Sequence, residues 1–138
     1  MSNKMKLENN WRSKTLEALE KKKWQPADFD SFLVKRTHEL RKKALNDFTI
    51  EDLRIMIGQQ IGLDYLVPLA LEVLKGNPFA EGDFYEGDLL QNVLKIESWF
   101  WNDNKQYWLT INSLIKSYER EISERKIDTS TFLKEQLN

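Results

Sequence analysis

Apolar residues along this chain recur at steps of three and four, and almost never at every second position. The clearest run is NDFTIEDLRIMIGQQIG, where Ile50, Leu53, Ile57 and Ile61 fall on one helical face. Its start is marked: Thr49 precedes Ile50, with Asp52 three residues on, close to a capping box. Gly62 stands where a helix-ending glycine belongs. YLVPLALEVLK continues as the next helix, with Asp64 as its cap. Pro68 falls in or near the first turn, where a missing N–H matters least, and Gly76, Asn77 and Pro78 form the stop.

Upstream, WRSKTLEALEKKKW reads as a short helix with Ser13 as cap and Leu16 and Leu19 as its apolar edge, broken by Pro26. DFDSFLVKRTHELRKKAL reads as a second, capped by Asp28, Asp30 or Ser31, with Phe29, Phe32, Leu33 and Leu40 as its apolar residues. Downstream, FAEGDFYEGD is loop and Asp88 caps LLQNVLK. WFWNDNKQYWLTINSLIKSYEREISER predicts one long amphipathic helix with the stripe Tyr107, Ile111, Leu114, Ile115, Tyr118 and Ile122. The tail KIDTSTFLKEQLN adds a short helix. Alternation never lasts and Val is scarce, so no strand is expected. The pattern predicts an all-α protein, a single-domain bundle of about six helices spanning residues 1–138, with 1–12 loosely ordered.

Composition agrees. The length of 138 residues suits one domain. An apolar share of 41%, with five Trp, four Tyr and seven Phe, can fill a core without disulfides or a structural metal. The absence of Cys removes disulfides and thiolate ligands and fits a reducing cytoplasm, the expected location. No apolar run approaches the roughly 20 residues of a membrane span. The polar start MSNKMKLENNWRSK has no signal-peptide apolar segment. A soluble protein without a membrane partner is expected.

Charge changes the picture more. The net value is −1, but residues 1–45 hold 12 basic and 6 acidic side chains, residues 46–92 hold 2 and 9, and residues 93–138 hold 7 and 7. The middle segment is therefore strongly anionic, which bears on partners rather than on fold. Its most concentrated part is EGDFYEGD, with Glu81, Asp83, Glu86 and Asp88 around Phe84 and Tyr85. A calcium loop needs oxygen ligands at positions 1, 3, 5, 7, 9 and 12. Here carboxylates stand at relative positions 1, 3, 6 and 8, aromatic residues intervene, and no closing Glu follows. No metal site and no cofactor are expected. The plain alternative is that Gly82 and Gly87 shape turns while Asp88 caps a helix. Caps explain one or two carboxylates, and a docking surface for a cationic partner accounts for the rest.

Other motifs are weaker. His38, the single His, lies in VKRTHELRKK with Glu39 on the opposite side of a helix, so it lacks the orienting carboxylate that catalysis requires. With no Cys, no glycine-rich phosphate loop and no serine elbow, an enzyme is not expected. The basic clusters KKKW and LRKK read as solvated helix faces, because acidic residues interleave. IEDLRIMIGQQIGLDYLVPLALEVL has the spacing of a helix-turn-helix, and a DNA-binding regulator is an alternative reading. Its second helix would offer Asp64, Tyr65 and Glu72 to DNA, with no cation before Lys75, so direct nucleic-acid binding is disfavoured. Trp99, Trp101 and Trp108, with Phe100 and Tyr107, suit a core or helix junction. So many large rings exceed one buried face, and one exposed at an interface is expected, which keeps a small helical adaptor or oligomerisation module as another alternative.

Four stretches together resemble a known family: FDSFLVKRTHELRKK, IEDLR, IGQQIGLDYLVPLALEVL and NPFAEGDFYEGDLL, covering about residues 29–96, half of the chain. They look like the immunity proteins of the contact-dependent growth inhibition (CDI) systems of Gram-negative bacteria. The resemblance implies a non-enzymatic cytoplasmic protein that binds the C-terminal toxin domain of a partner surface protein delivered by sibling cells, and neutralises it. Many such toxins are nucleases and therefore cationic. On this reading the toxin contacts are Asp64, Glu72, Glu81, Asp83, Tyr85, Glu86 and Asp88, which would stand in for a nucleic-acid backbone. Because one family can face different toxins, the aromatic patch of Trp99, Trp101 and Trp108 is the alternative toxin-binding surface.

Overall fold

The computed structural model describes residues 7, 9–23 and 31–134. Among them the chain forms nine α-helical segments: α1 Leu16–Leu19, α2 Phe32–Leu40, α3 Ile50–Gly58, α4 Leu63–Gly76, α5 Asp88–Leu94, α6 Ser98–Asp103, α7 Lys105–Ser117, α8 Glu119–Glu124 and α9 Ser130–Leu133. Short 3-10 turns lie at Trp11–Ser13 and Leu45–Asp47. The one extended pairing among the described residues is an isolated bridge between Thr15 and Ala44. The all-α class predicted from periodicity is the class observed.

Side-chain caps set the starts of α1, α2 and α3. Thr49 and Asp52 form the full capping box of α3, with Asp52 N–H donating to Thr49 Oγ1 at 3.1 Å and Thr49 N–H donating to Asp52 Oδ2 at 3.0 Å. Ser31 caps α2 by accepting from the Val34 N–H at 3.1 Å. Phe29, Asp28, Asp30 and Pro26 lie outside the described residues. α1 is capped by Thr15, through the Ala18 N–H at 3.1 Å, rather than by Ser13, whose hydroxyl donates to the Asn10 carbonyl at 2.8 Å. Within the stretch 1–12, Trp11 is buried and Leu7 packs against the core.

The link between α3 and α4 differs from expectation. The left-handed residue closing α3 is Gln60, with φ 60°. Gly62, at φ 64°, opens α4 instead, and a Cβ there would lie 2.8 Å from the Leu16 side chain. Glycine is required on both counts. Asp64 therefore sits inside the first turn rather than at the cap, and Pro68 lies a turn further in, removing one helical hydrogen bond. The long helix predicted at the C-terminal end is broken into α6, α7 and α8. The breaks fall at Asn104, whose amide donates to the Phe100 carbonyl at 2.9 Å, and at Tyr118. Ile111, Ile115 and Ile122 are still buried, so the stripe survives the breaks.

α4 is the centre of the core. Leu63, Tyr65, Leu66, Val67, Ala70, Leu71 and Leu74 are all buried. α3 packs on both α4 and α5, α7 packs on α4, and Phe100, Trp101 and Phe132 close one end. α2 packs on α3 through Thr37 and Leu40, leaving Phe32, Leu33 and Val34 in solvent. Of the apolar residues read on this helix, Leu40 is buried while Phe32 and Leu33 are exposed, because the buried positions of α2 lie in its C-terminal half.

Asp52 ties α2 to α3. It is 1% exposed and receives Arg36 at 2.9 Å and Lys43 at 2.6 Å. Burial pushes its carboxyl up, but the Lys43 hydrogen bond, the Thr49 N–H and the charges of Lys43 and Arg36 outweigh that and hold it below the ordinary aspartate value. Glu51 is also held low, first by its hydrogen bonds from Arg54. Glu20 and Asp64, although each still reaches solvent, go the other way, raised chiefly by the partial burial of their carboxyls. The depressed pair binds fewer protons folded than unfolded, so its stability is present above the usual carboxylate range and is lost as pH falls through the folded values. The raised pair contributes below that range and loses its contribution as pH rises through its own folded values. Urea midpoints between pH 7 and pH 3 are expected to peak near about pH 5 and to fall below about pH 4. Stability still climbing from pH 4 to pH 3 would show that Asp52 and Glu51 do not govern acid unfolding.

Candidate interaction surface

The acidic loop, residues 79–87, runs from α4 to α5. Pro78, Phe79 and Ala80 are buried and anchor its start. Phe79 meets Tyr118 edge-on at 5.9 Å and lies under the Arg125 guanidinium at 4.0 Å. The turn beyond is organised by a carboxylate that is itself hidden. Asp88 is 2% exposed and accepts from the backbone N–H groups of Gly82 at 2.6 Å, Phe84 at 3.1 Å and Tyr85 at 3.3 Å. Glu51 of α3 takes the next one, the Asp83 N–H, at 2.8 Å, while both its oxygens bind Arg54 at 2.6 Å. Gly82 is pressed against this pair: a Cβ would lie 2.5 Å from Glu51 Oε1. Gly87 takes φ 91° and would strike Ile127 at 2.7 Å if it bore a side chain.

Backbone N–H groups are thus drawn inward, and Glu81, Asp83, Phe84, Tyr85 and Glu86 are all exposed. This corrects the role of Asp88. It is the first residue of α5 rather than its cap, and burial makes it an organiser of the loop that no partner can touch. Glu86 is exposed but pairs with Arg125 at 2.7 Å. Glu81 and Asp83 are exposed and carry no hydrogen bond or ion pair on their side chains among the described residues, although the Asp83 charge is felt by Arg54.

The remaining acidic candidates lie elsewhere. Glu72 is paired with Arg12 on the far part of α4. Asp64 is raised by partial burial and then by Asp103, and Tyr107 is raised first by burial and then by Asp64. The seven residues expected to form one acidic face therefore occupy three separate surroundings. The aromatic alternative also divides. Trp101 is 0% exposed, edge-on to Phe132 at 5.3 Å, and cannot form a surface patch. Trp108 is half-buried and stacks on Phe132 at 5.1 Å. Trp99 alone of the three is open, its Nε1–H donating to Glu97 at 2.9 Å. The helix-turn-helix reading meets a direct obstacle, because α4 buries most of its surface in the core and shows solvent mainly Asp64, Glu72 and Lys75. His38 is half-buried on α2.

One feature escaped the sequence. The first turn of α2 and the acidic loop face each other across a groove of about 570 Å³. Phe32 and Leu33 line one side, Asp83 and Phe84 the other, and Arg54 and Ile55 of α3 lie between. Phe32 is 78% exposed and Phe84 69%. The Arg54 guanidinium lies 4.3 Å from the Phe84 ring centre, which fixes that ring as a wall. The available signal was FLV directly after the Ser31 cap, since three adjacent apolar residues cannot all face one side of a helix.

Among the described residues no group of His, Cys, Asp and Glu is arranged to hold a metal ion, and no helix is long and apolar enough to cross a membrane. Residues 18–111, about two thirds of the chain, match a family model described as CDI immunity proteins. No curated protein matches the chain.

Proposed function

The chain belongs to the CDI immunity proteins, which assigns it an immunity role against CDI toxins, and from that premise we propose how it acts. It binds the C-terminal toxin domain of its cognate effector in the cytoplasm, one to one, and blocks that domain without catalysis. The toxin is a basic nuclease, whose cationic substrate groove the immunity protein covers. The observation that supports this is the loop at 81–86, which Asp88 and Glu51 hold in a turn with the Glu81 and Asp83 carboxylates exposed at the surface. A nuclease must present cations to phosphate. Carboxylates held at fixed positions compete for those cations and speed encounter.

The test is a calorimetric titration of the purified protein with the toxin domain encoded immediately upstream of its gene, at 50 mM and 500 mM salt. Tight one-to-one binding that weakens with salt is expected, together with loss of nuclease activity at equivalence. Binding insensitive to salt would move the interface off the acidic loop. Absence of binding by the folded protein would remove the reading.

A further inference from the structure

Resting on that immunity reading, we propose that the groove between α2 and the acidic loop is the seat of one apolar anchor of the toxin domain, an aliphatic or aromatic side chain with a lysine or arginine beside it.

The apolar half of this partner follows from the walls. Phe32 and Phe84 face solvent across a groove of about 570 Å³, and Leu33 and Ile55 add to the lining. Large rings left open around a concavity mark a contact site, since their burial on association supplies the favourable energy. The groove is also rigid where it matters. Phe84 is fixed by the Arg54 guanidinium, and its backbone N–H by Asp88. A preformed wall loses little entropy on binding.

The cationic half follows from the rim. Among the described residues Arg54 is the one basic side chain in the lining, and it is already used twice, in a two-point bond with Glu51 and in its stacking on Phe84. It is therefore not available to an acidic ligand. Asp83 lines the same mouth and Glu81 stands two positions before it; among the described residues neither makes an ion pair, and Asp83 adds to the negative charge already around Arg54. A cation arriving beside the anchor meets these carboxylates, whereas a nucleic acid or an acidic peptide is repelled. Area burial holds the complex and charge steers it, which separates the two contributions kinetically.

The experiment is stopped-flow and surface-capture kinetics with the upstream-encoded toxin domain, for the parent protein, Phe32→Ser, Phe84→Ser and the double variant. Phe32 is so exposed that its replacement leaves the fold intact, checked by circular dichroism and melting. Each single variant is expected to weaken binding by roughly 30-fold or more, as for a buried anchor, with the loss in the dissociation rate. Parent binding with Phe32→Ser unchanged would overturn the groove and leave the immunity reading standing. No binding by the parent would remove the reading itself. If sedimentation shows the free chain self-associating, and Phe32→Ser abolishes this while toxin binding is untouched, the occupant is a second copy and the proposal fails.

Discussion

Asp88→Ala is expected to cost about 3 kcal/mol of folding stability and to weaken toxin binding even in the fraction that remains folded. The carboxylate lies in the protein and accepts three backbone N–H groups from one turn. Bonds to a charged acceptor contribute more than neutral ones, and they are not additive here because the loop moves as a unit. Asp88 also stands in the first turn of α5, where its charge opposes the positive end of the helix dipole. Its loss releases Gly82, Phe84 and Tyr85 together. Glu51 then keeps only the Asp83 N–H on the loop side, and the Phe84 wall of the groove loses its backbone support. A fall in melting temperature of roughly 10 °C is expected for a chain of this size. Asp83→Asn, at an exposed carboxylate, is the control and should change stability by no more than about 0.5 kcal/mol. If Asp88→Ala melted within a degree or two of that control, the loop would be held by its anchors at Phe79 and Ala80, and the buried carboxylate would be incidental.

The same residue shows what the sequence could and could not disclose. EGDFYEGD announces a loop and an excess of acid, because glycine, charge and local spacing are local facts. Which carboxylate faces inward is not local. Asp88 goes in because Glu51, more than thirty positions earlier, already occupies the other side of the turn and holds Arg54 there. The Thr49–Asp52 box was legible for the opposite reason, since all its atoms lie within one turn. Yet Asp52 has a second role as the meeting point of Arg36 and Lys43, which no spacing rule reveals. Lys43, read in the sequence as part of a solvated helix face, and Arg36 are instead spent on a buried acid.

Helix boundaries followed the same division. Thr49 was read as a cap, and Ser31 was one of the three cap candidates read for α2. Gly62 was misplaced because a left-handed residue was needed twice within three positions, and Gln60 took the first. The break at Tyr118 has no sequence marker, and the amphipathic stripe runs through it because the helix segments on either side bury the same face. Of the aromatic cluster, the expectation that one ring would be exposed was met by Trp99, while the pairing of Trp101 and Trp108 with Phe132 depends on a helix some thirty residues away.

Reversing charge at Glu81 and Asp83 together, as the Glu81→Lys/Asp83→Lys variant, is expected to slow association with the toxin domain by ten- to a hundredfold at low salt. Among the described residues neither side chain makes a hydrogen bond or ion pair, so the substitution breaks none there and removes only the longer-range attraction between Asp83 and Arg54. Stability should stay within about 0.5 kcal/mol of the parent. The dissociation rate should move less than the association rate, because exposed charges act mainly on the approach of the partners. The parent's rate should fall as salt rises, since the Debye length shrinks from about 10 Å at 0.1 M to about 3 Å at 1 M. The variant's rate should fall less or even rise, and the two should converge at high salt. Glu86→Lys offers a contrast: it also breaks the contact with Arg125 and leaves that cation unpaired near the loop. A stability loss is then expected alongside slower association. Were the Glu81→Lys/Asp83→Lys variant to associate at the parent's rate at every salt concentration, the acidic loop would not be the surface that meets the toxin. Exposed Trp99 would become the next residue to replace.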